Sequence, residues 1–214
     1  MVQERSTGLS ELAGYGLINL DQAQQKLSSL SSVLGLEQRQ LLAFVGGTQD
    51  PDQCLELITR LARDHKEKLN PLTTDEKAFG RLCRVLGASA GLFDFLTREP
   101  QSLALFSLAP VLPTAEDSLT ALTKSANNVS AIRIAYRTQL LKIAIYDVCS
   151  EDPGAEIGAV SEALADLAAA AIEAGLHLAR TELSDEANPT HFPRQDVSNT
   201  RISVIGMGLS LIHI

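Results

Sequence analysis

An apolar repeat in the last third of the sequence is the feature that most limits how this chain can fold. Between Glu156 and Thr181 the apolar residues recur at spacings of 4, 3, 4, 3 and 4, which is the period of one helical face. The repeating positions are Val160, Leu164, Leu167, Ala171, Ala174 and Leu178. The many alanines of this segment would let a second helix approach closely. The pattern therefore predicts a long, packed α-helix of about 40 Å.

Composition favours the same architecture for the rest of the chain. Aromatic residues make up only 4% of the sequence and tryptophan is absent, while leucine and alanine dominate. Leucine and alanine lose little side-chain freedom in a helix, whereas a β-sandwich needs more β-branched and aromatic residues. We therefore predict a mostly α fold in which several helices pack against one another.

Local start and stop signals predict where individual helices begin and end. Asp50 is a good N-cap and Pro51 suits the first helical position, so a helix should start there and close at Pro71. Thr73, with a glutamate three residues later, has the spacing of a capping box that opens the next helix. That helix should end at Gly87, because glycine is favoured just after a helix C-terminus.

The C-terminal part of the sequence changes character. A break is expected at Pro153-Gly154, before the long helix, and the polar stretch Asn188–Asn199 has the composition of a loop. Arg201–Ile205 is a β-branched apolar run, the only clear strand signal in the chain, and Gly206 and Gly208 end it. The pattern predicts the first strand of a further domain, followed by a glycine turn.

The charge of the chain excludes one class of partner. With 18 basic and 26 acidic side chains the net charge is −8, so the chain as a whole repels phosphate and we expect no nucleic acid binding. A basic set, Arg133, Arg137 and Lys142, lies on a predicted helix from Ala131 to Cys149. A solvated helix face is the simpler interpretation of this set, and a site for phosphate or an acidic partner surface is the alternative.

Cysteines and apolar runs indicate the compartment. Cys54, Cys83 and Cys149 are widely spaced and lack zinc-ligand patterns, so we expect buried core thiols in a reducing compartment. Residues 1–12 lack the apolar stretch of a signal peptide, and no apolar run reaches the roughly 20 residues of a membrane span. We therefore expect a cytoplasmic protein with no membrane partner.

The glycine turn, taken alone, allows two interpretations. A dinucleotide-binding turn needs a third glycine three positions after Gly208, and Leu211 occupies that position. A nicotinamide-dependent enzyme beginning at Ile202 is therefore disfavoured, and no Gly-Lys-Ser/Thr follows to make a P-loop. The remaining alternatives are a plain turn that ends a strand and a turn whose free N–H groups hold phosphate.

Three separated stretches form a recognisable series. They are Arg81–Ser102, which contains Val85–Leu92 and Arg98-Glu-Pro100; Arg133–Asp147, which contains Gln139–Ala144; and Ile202–Gly208. In this order they resemble the bacterial glutamine-synthetase adenylyltransferase/adenylyl-removing enzymes. The resemblance implies that the strand beginning at Ile202 opens a nucleotidyltransferase domain.

The resemblance further implies a nucleotide site that this chain only begins. In the family the turn continues as Gly-Lys-x-Gly and leads to Ser-Asp-x-Asp, whose aspartates hold Mg²⁺ while the turn's N–H groups hold ATP. Gly206 and Gly208 match the start of that turn, so they are the expected nucleotide-binding residues, and Leu209 stands where the lysine belongs. Mg²⁺ and ATP are expected for the full-length parent. The fragment should bind neither well and should have no catalytic or metal-binding residue of its own.

A function for the parent follows from the same resemblance. Family members have two similar halves, one that removes AMP from a tyrosine of glutamine synthetase by phosphorolysis and one that adds AMP from ATP. Glutamine synthetase and the PII signal protein are the implied partners. We expect this chain to be the truncated front of the first half, inactive alone, with Leu209–Ile214 as foreign sequence; a natural, divergent short protein is the other interpretation of this tail. A non-catalytic helical interaction module is the alternative.

The expected fold class is mostly α, a multi-helix N-terminal region leading into the first strand of an incomplete nucleotidyltransferase α/β domain. We divide the chain into an N-terminal helical region, residues 1–125, and a helical region that precedes the catalytic domain, residues 126–200. Residues 201–214 would be the first strand and glycine turn of the truncated nucleotidyltransferase domain.

Overall fold

The computed structural model describes residues 8–204, and these residues form ten α-helices and one 3₁₀ segment. The helices are α1 Leu9–Gly14, α2 Leu20–Leu34, α3 Gln38–Gly46, α4 Pro51–Thr73, α5 Glu76–Ala88, α6 Ala90–Arg98, α7 Ala115–Lys124, α8 Val129–Cys149, α9 Pro153–Ser184 and α10 Arg194–Asn199, with the 3₁₀ segment Pro100–Ser107 between α6 and α7. Residues 8–204 contain no β-strand. The mostly α prediction is confirmed for this part of the chain.

The helices group into two compact units. Among the described residues, the first unit comprises residues 8–110 together with Ala144–Cys149, and the second comprises Val111–Ile143 together with residues 150–204. Helix α8 contributes to both, because its first part belongs to the second unit and its last turns to the first. The division proposed from sequence at residues 125 and 200 concerns domains of a longer protein and stays a prediction.

The core of the first unit is built on α4 and α5, which pack against each other and against the 3₁₀ segment. Phe79, Phe93 and Phe106 are fully buried there. Phe44 meets Phe79 edge to face, with ring centroids 5.1 Å apart, and the Arg60 guanidinium lies 4.7 Å from the centre of the Phe93 ring. Burial of each such side chain contributes about 1.5–3 kcal/mol, so these rings are a main source of this unit's stability.

Helix α4 starts as the sequence predicts but does not end there. The Asp50 carboxylate accepts a hydrogen bond from the Gln53 N–H at 2.9 Å, and a proline follows at the first helical position. The predicted end at Pro71 is wrong, because the helix continues to Thr73. Leu69 and Leu72 on either side of the proline are fully buried. Their burial holds the last turn in place although an interior proline costs about 3 kcal/mol.

A kink interrupts α4 at His65 instead. Its backbone dihedrals, φ −138° and ψ 38°, are not helical. The His65 Nε2 atom lies 3.0 Å from the Thr97 carbonyl oxygen, to which it donates in the tautomer protonated at Nε2. The kink is therefore tied to the end of α6.

The boundaries of α5 also differ from the prediction. Asp75, not Thr73, is the N-cap, and its carboxylate accepts from the backbone N–H groups of Lys77 and Ala78 at 3.0 and 3.1 Å. Gly87 lies inside the helix and not after it. A Cβ atom there would be only 2.6 Å from the Thr48 Cβ, so glycine is required by close packing and not by a helix stop.

In the second unit, α9 is the predicted long helix, extended at both ends. It begins at Pro153, which the sequence assigned to a break; Asp152 caps it by accepting from the Ala155 N–H at 3.2 Å. A proline suits the first turn because its missing N–H has no partner there. Helix α7 packs against α9. The buried stripe of α9 is Val160, Ala163, Leu167, Ala170, Ala174 and Leu178.

The end of the described chain corrects two further predictions. Residues 194–199, assigned from sequence to a loop, form the short helix α10, whose Val197 is buried where the helix packs on α9. Arg201–Val204 has no regular secondary structure, so the predicted strand is not found in its described part. Ile205, the remainder of that strand, lies outside the described residues.

Candidate functional site

Both predicted nucleotide-binding residues, Gly206 and Gly208, lie outside the described residues. What the structure describes is the path of the chain towards them, along the C-terminal end of α9, then α10, and then residues 200–204. This region is the candidate site. We call the cavity in it the C-terminal groove; its lining residues are Leu176, Ala179, Arg180, Leu183, Phe192, Asp196, Val197, Thr200 and Ile202.

Two backbone contacts fold the chain back along α9. The Phe192 N–H donates to the Leu183 carbonyl oxygen at 2.8 Å, and the Arg180 Nη2 donates to the Thr200 carbonyl oxygen at 3.1 Å. Between these two contacts Val197 is buried against α9. The groove that remains has a volume of about 240 Å³ and a largely apolar lining. It can hold an apolar side chain, and its lining lacks the cluster of donors that a nucleotide phosphate needs.

A second, more polar cavity of about 420 Å³ lies beside the loop that joins α9 to α10. The Asn188 side chain organises this loop: its amide donates to the Glu182 carbonyl oxygen at 3.0 Å, and its oxygen accepts from the Thr190 N–H at 3.0 Å. Asp185 and Arg194 both line the cavity, so its charges are mixed. Nowhere in residues 8–204 do three or more histidine, cysteine or acidic side chains meet as a metal site.

The basic set on α8 is not uniform. Arg133 and Arg137 are exposed, whereas Lys142 is half-buried. The pKa of the Asp117 carboxyl is lowered, first by the hydrogen bond from the Thr114 backbone N–H, then by the Thr114 hydroxyl, and to a smaller degree by the charge of Lys142. Lys142 therefore has an acidic neighbour within its own unit. Arg133 and Arg137 fit the solvated-face interpretation.

The stretch Val85–Leu92 is a junction between two helices. The Ser89 N–H donates to the Val85 carbonyl oxygen at 2.9 Å and closes α5, while the Ser89 hydroxyl accepts from the Leu92 N–H at 3.3 Å and opens α6. Nearby, the Arg81 Nε donates to the Phe106 carbonyl oxygen at 2.9 Å. One residue thus caps both helices, and an arginine ties the junction to the 3₁₀ segment.

The three cysteines differ in burial: Cys54 and Cys83 are buried, and Cys149 is half-buried. Hydrogen bonding to the Cys54 thiol, followed by burial, raises the pKa of Cys83 well above its usual value. Burial also raises the pKa of Cys149, although Arg84 partly opposes the shift. The prediction of buried core residues is confirmed for Cys54 and Cys83 and is wrong for Cys149, which is partly exposed. The raised pKa values of Cys83 and Cys149 make these two thiols poor nucleophiles at neutral pH.

Sequence reasoning did not find Arg180 or the groove. The only sequence feature that could have indicated it is that Arg180 lies among apolar residues near the end of a long helix. A cation in that position has many possible partners, and only the fold shows that the acceptor is a carbonyl group twenty residues later.

Comparison with known proteins shows which family this chain is similar to. The model of the glutamate-ammonia ligase adenylyltransferase family matches residues 79–210. A bifunctional glutamine synthetase adenylyltransferase/adenylyl-removing enzyme of Leifsonia xyli is 35% identical over 94% of this chain, and the one of Streptomyces avermitilis is 35% identical over 95%. The protein of that name in Mycolicibacterium smegmatis is 32% identical over 79% of this chain.

These relatives are much longer than this chain. The matched region makes up 21% of the Leifsonia protein, 20% of the Streptomyces protein and 18% of the Mycolicibacterium protein, so the chain spans about a fifth of their length. No solved structure matches the chain. Among the helices of residues 8–204, none combines the length and the apolar character that a membrane span needs.

Proposed function

This chain belongs to the glutamate-ammonia ligase adenylyltransferase family, and from that membership we propose that it is the helical region in front of a nucleotidyltransferase domain. The enzyme that contains it would attach AMP to a tyrosine of glutamine synthetase and remove it again. One observation carries the proposal: the family match runs without a break from α5 to residue 210, past α10 and over Gly206 and Gly208.

The proposed division of labour assigns the chemistry to residues beyond Val204. Addition of AMP transfers it from ATP to the tyrosine oxygen and releases pyrophosphate, and phosphorolytic removal transfers it to phosphate and yields ADP. Mg²⁺, when bound by aspartates of a Ser-Asp-x-Asp motif, would neutralise charge on the phosphate oxygens during either transfer. The residues described in this chain would orient the approach to the turn, through Arg180 and the buried Val197.

The finer parts of the proposal rest on the family resemblance. Residues 201–204 are not a strand here; in the complete domain, where neighbouring strands could pair with them, Arg201–Ile205 would form its first strand, and Gly206 and Gly208 would hold ATP through backbone N–H groups. Glutamine synthetase is the proposed protein substrate, because the names of the relatives state that they act on it. The PII signal protein is the proposed regulator, and the cytoplasm, where ATP and these partners meet, is the proposed compartment.

The first experiment is to determine the coding sequence of the source locus beyond the codon for Gly208. A reading frame that continues as Gly-Lys-x-Gly and reaches Ser-Asp-x-Asp is the expected result, since those aspartates would supply the metal site. A stop codon directly after Ile214, together with saturable binding of glutamine synthetase without AMP transfer, would contradict the proposal and support a non-catalytic interaction module.

A further inference from the structure

Helix α9 has a second apolar face besides its buried stripe. Successive residues of a helix are about 100° apart, so residues at spacings of three, four and seven share one side. We call this second side the outer face of α9; its members are Ile157, Leu164, Ala165, Ala168, Ile172, Leu176, Ala179 and Leu183. They share an arc of about 120°, which also contains Ser161 near its middle and Glu182 at its edge. The acidic side chains of Glu162, Asp166 and Glu173 project from a different side.

Much of the outer face is open to solvent. Ile157 is 65% exposed, Ile172 is 44% exposed and Leu183 is 37% exposed. Between the isoleucines, Ala165 and Ala168 are small enough to let another helix approach closely. Single exposed apolar side chains are common, but an apolar row that follows one helix for about 40 Å is typical of an interaction surface.

The C-terminal end of the outer face already contacts another segment of the chain. Leu176, Ala179 and Leu183 line one side of the C-terminal groove, and Phe192 and Ile202 line the other. The segment that follows α10, residues 200–202, therefore lies next to the outer face. The part of the face from Ile157 to Ile172 continues this contact surface; both isoleucines are exposed, and Leu164, Ala165 and Ala168 between them are half-buried.

We propose that the outer face of α9 is the docking surface of the domain that follows residue 204 in the longer family proteins. This inference rests on the proposed function, because it takes the following domain to be the nucleotidyltransferase domain. Three observations select this occupant. The relatives continue for about four-fifths of their length outside the matched region, the family match crosses Val204 without a break, and the chain approaches Val204 along the outer face itself.

A second copy of this chain fits the outer face less well. Antiparallel pairing of two α9 helices about Ala170 would bring Ile157 of one copy to Leu183 of the other. The loop and α10 segment from Phe192 to Ile202 lies across that end of the face and stands in the way. The docking partner is thus an apolar surface of the domain that follows in the same polypeptide. Its aliphatic side chains would pack next to Ala165 and Ala168.

The test compares the accessibility of two neighbouring positions in a short and a long protein. Ile172→Cys places a thiol on the outer face, and Glu173→Cys places one on the acidic side of the same helix turn. Each variant is made in the 214-residue chain and in a chimera in which residues 1–204 precede the remainder of the Leifsonia xyli relative. Labelling rates with N-ethylmaleimide are measured by peptide mass spectrometry, which separates the new thiol from the three native ones.

The expected result is that the thiol of Ile172→Cys labels at least about tenfold more slowly in the chimera than in the short chain, while that of Glu173→Cys labels at one rate in both. Equal rates for Ile172→Cys in the two proteins would overturn the proposal. Protection of Ile172→Cys in the short chain that disappears on dilution would also overturn it, in favour of a second copy. If the chimera does not fold, the same pair of substitutions at the aligned positions of the full-length Leifsonia protein decides the question.

Adenylyl transfer to glutamine synthetase is assayed in the same chimera with ATP and Mg²⁺. Protection without transfer supports the docking surface and contradicts the proposed function. Transfer without protection supports the proposed function and contradicts the docking surface. The failure of one proposal can therefore be told from the failure of the other.

Discussion

The two units of this chain bury their apolar residues to different extents. The three fully buried phenylalanines, Phe79, Phe93 and Phe106, all belong to the first unit, whereas the largest fully buried side chains of the second are Leu122, Leu141 and Leu167. Most of the large apolar side chains that remain exposed, among them Ile157, Ile172 and Ile202, belong to the second. Each unit buries large apolar side chains of its own, but the second also leaves several apolar side chains on one side of its longest helix exposed, among them Ile157 and Ile172. Helical propensity alone therefore does not make a region self-sufficient; each apolar face also needs a partner.

The largest expected effect is the loss of a core ring from the first unit. Phe79→Ala removes a fully buried side chain and its contact with Phe44, and it should lower the free energy of unfolding by about 3–5 kcal/mol. Urea unfolding followed by circular dichroism at 222 nm measures this change. As a control, Ile18→Ala removes a largely exposed side chain and should change the free energy by less than about 0.5 kcal/mol. A small effect of Phe79→Ala would mean that the first unit is as open as the second.

Two glycine substitutions sharpen the comparison because they should act in opposite directions. Gly87→Ala brings a methyl group within 2.6 Å of the Thr48 Cβ and should destabilise the first unit by about 1–3 kcal/mol, despite the better helix propensity of alanine. Gly158→Ala, inside α9, meets nothing within 4 Å and should stabilise the second unit by about 0.5–1 kcal/mol. Thermal unfolding of both variants shows the signs. Stabilisation by Gly87→Ala would refute the close packing of α5.

Removal of the cap of α7 should have a moderate effect that depends on pH. Thr114 and Asp117 form a capping box, so Thr114→Ala should cost about 1 kcal/mol at neutral pH, while Thr114→Ser should retain most of the stability. The folded-state pKa of Asp117 is lowered, so its contribution is present above the unfolded-state pKa and is lost as pH falls through the folded value. Urea unfolding of the variants at pH 7 and at acid pH measures this. A cost for Thr114→Ala that does not shrink in acid would argue against the box.

The smallest effect is expected for the contact that holds the end of the described chain. Arg180→Ala removes the donor to the Thr200 carbonyl oxygen and should weaken the attachment of residues 194–204 by about 1 kcal/mol, or about fivefold in local opening. Hydrogen exchange of the peptides that cover this segment reports the change. Arg133→Ala, an exposed arginine in the same unit, is the matched control and should leave these rates unaltered. If both substitutions act alike, Arg180 has no positioning role.

Agreement between sequence and structure is best where the signal is local. The start of α4 at Asp50 and the course of α9 depend on residues within one or two helical turns, and both were predictable. Disagreement arises where a distant residue intervenes. Pro71 is kept inside a helix by the burial of its neighbours, and Gly87 is kept small by Thr48, which lies 39 positions earlier in the chain. Neither contact leaves a periodic signal in the sequence.

The candidate site shows the same limit. Gly206 and Gly208 came from a resemblance, and the family match extends over both of them, but they lie outside the described residues. Arg180 and the C-terminal groove came only from the fold, because an arginine and its carbonyl acceptor twenty residues away share no motif. The short helix α10 was missed because its one buried residue, Val197, is stabilised by packing on α9 and not by propensity.

The sequence by itself determined the helical class, the acidic charge and the start of α4, because these follow from the properties of single residues and from spacings of three and four. Only the tertiary structure decided which of the two apolar faces of α9 is buried, where α4 bends and how the chain reaches Val204. Those outcomes depend on contacts between residues far apart in the chain, and such contacts form only when whole helices have packed.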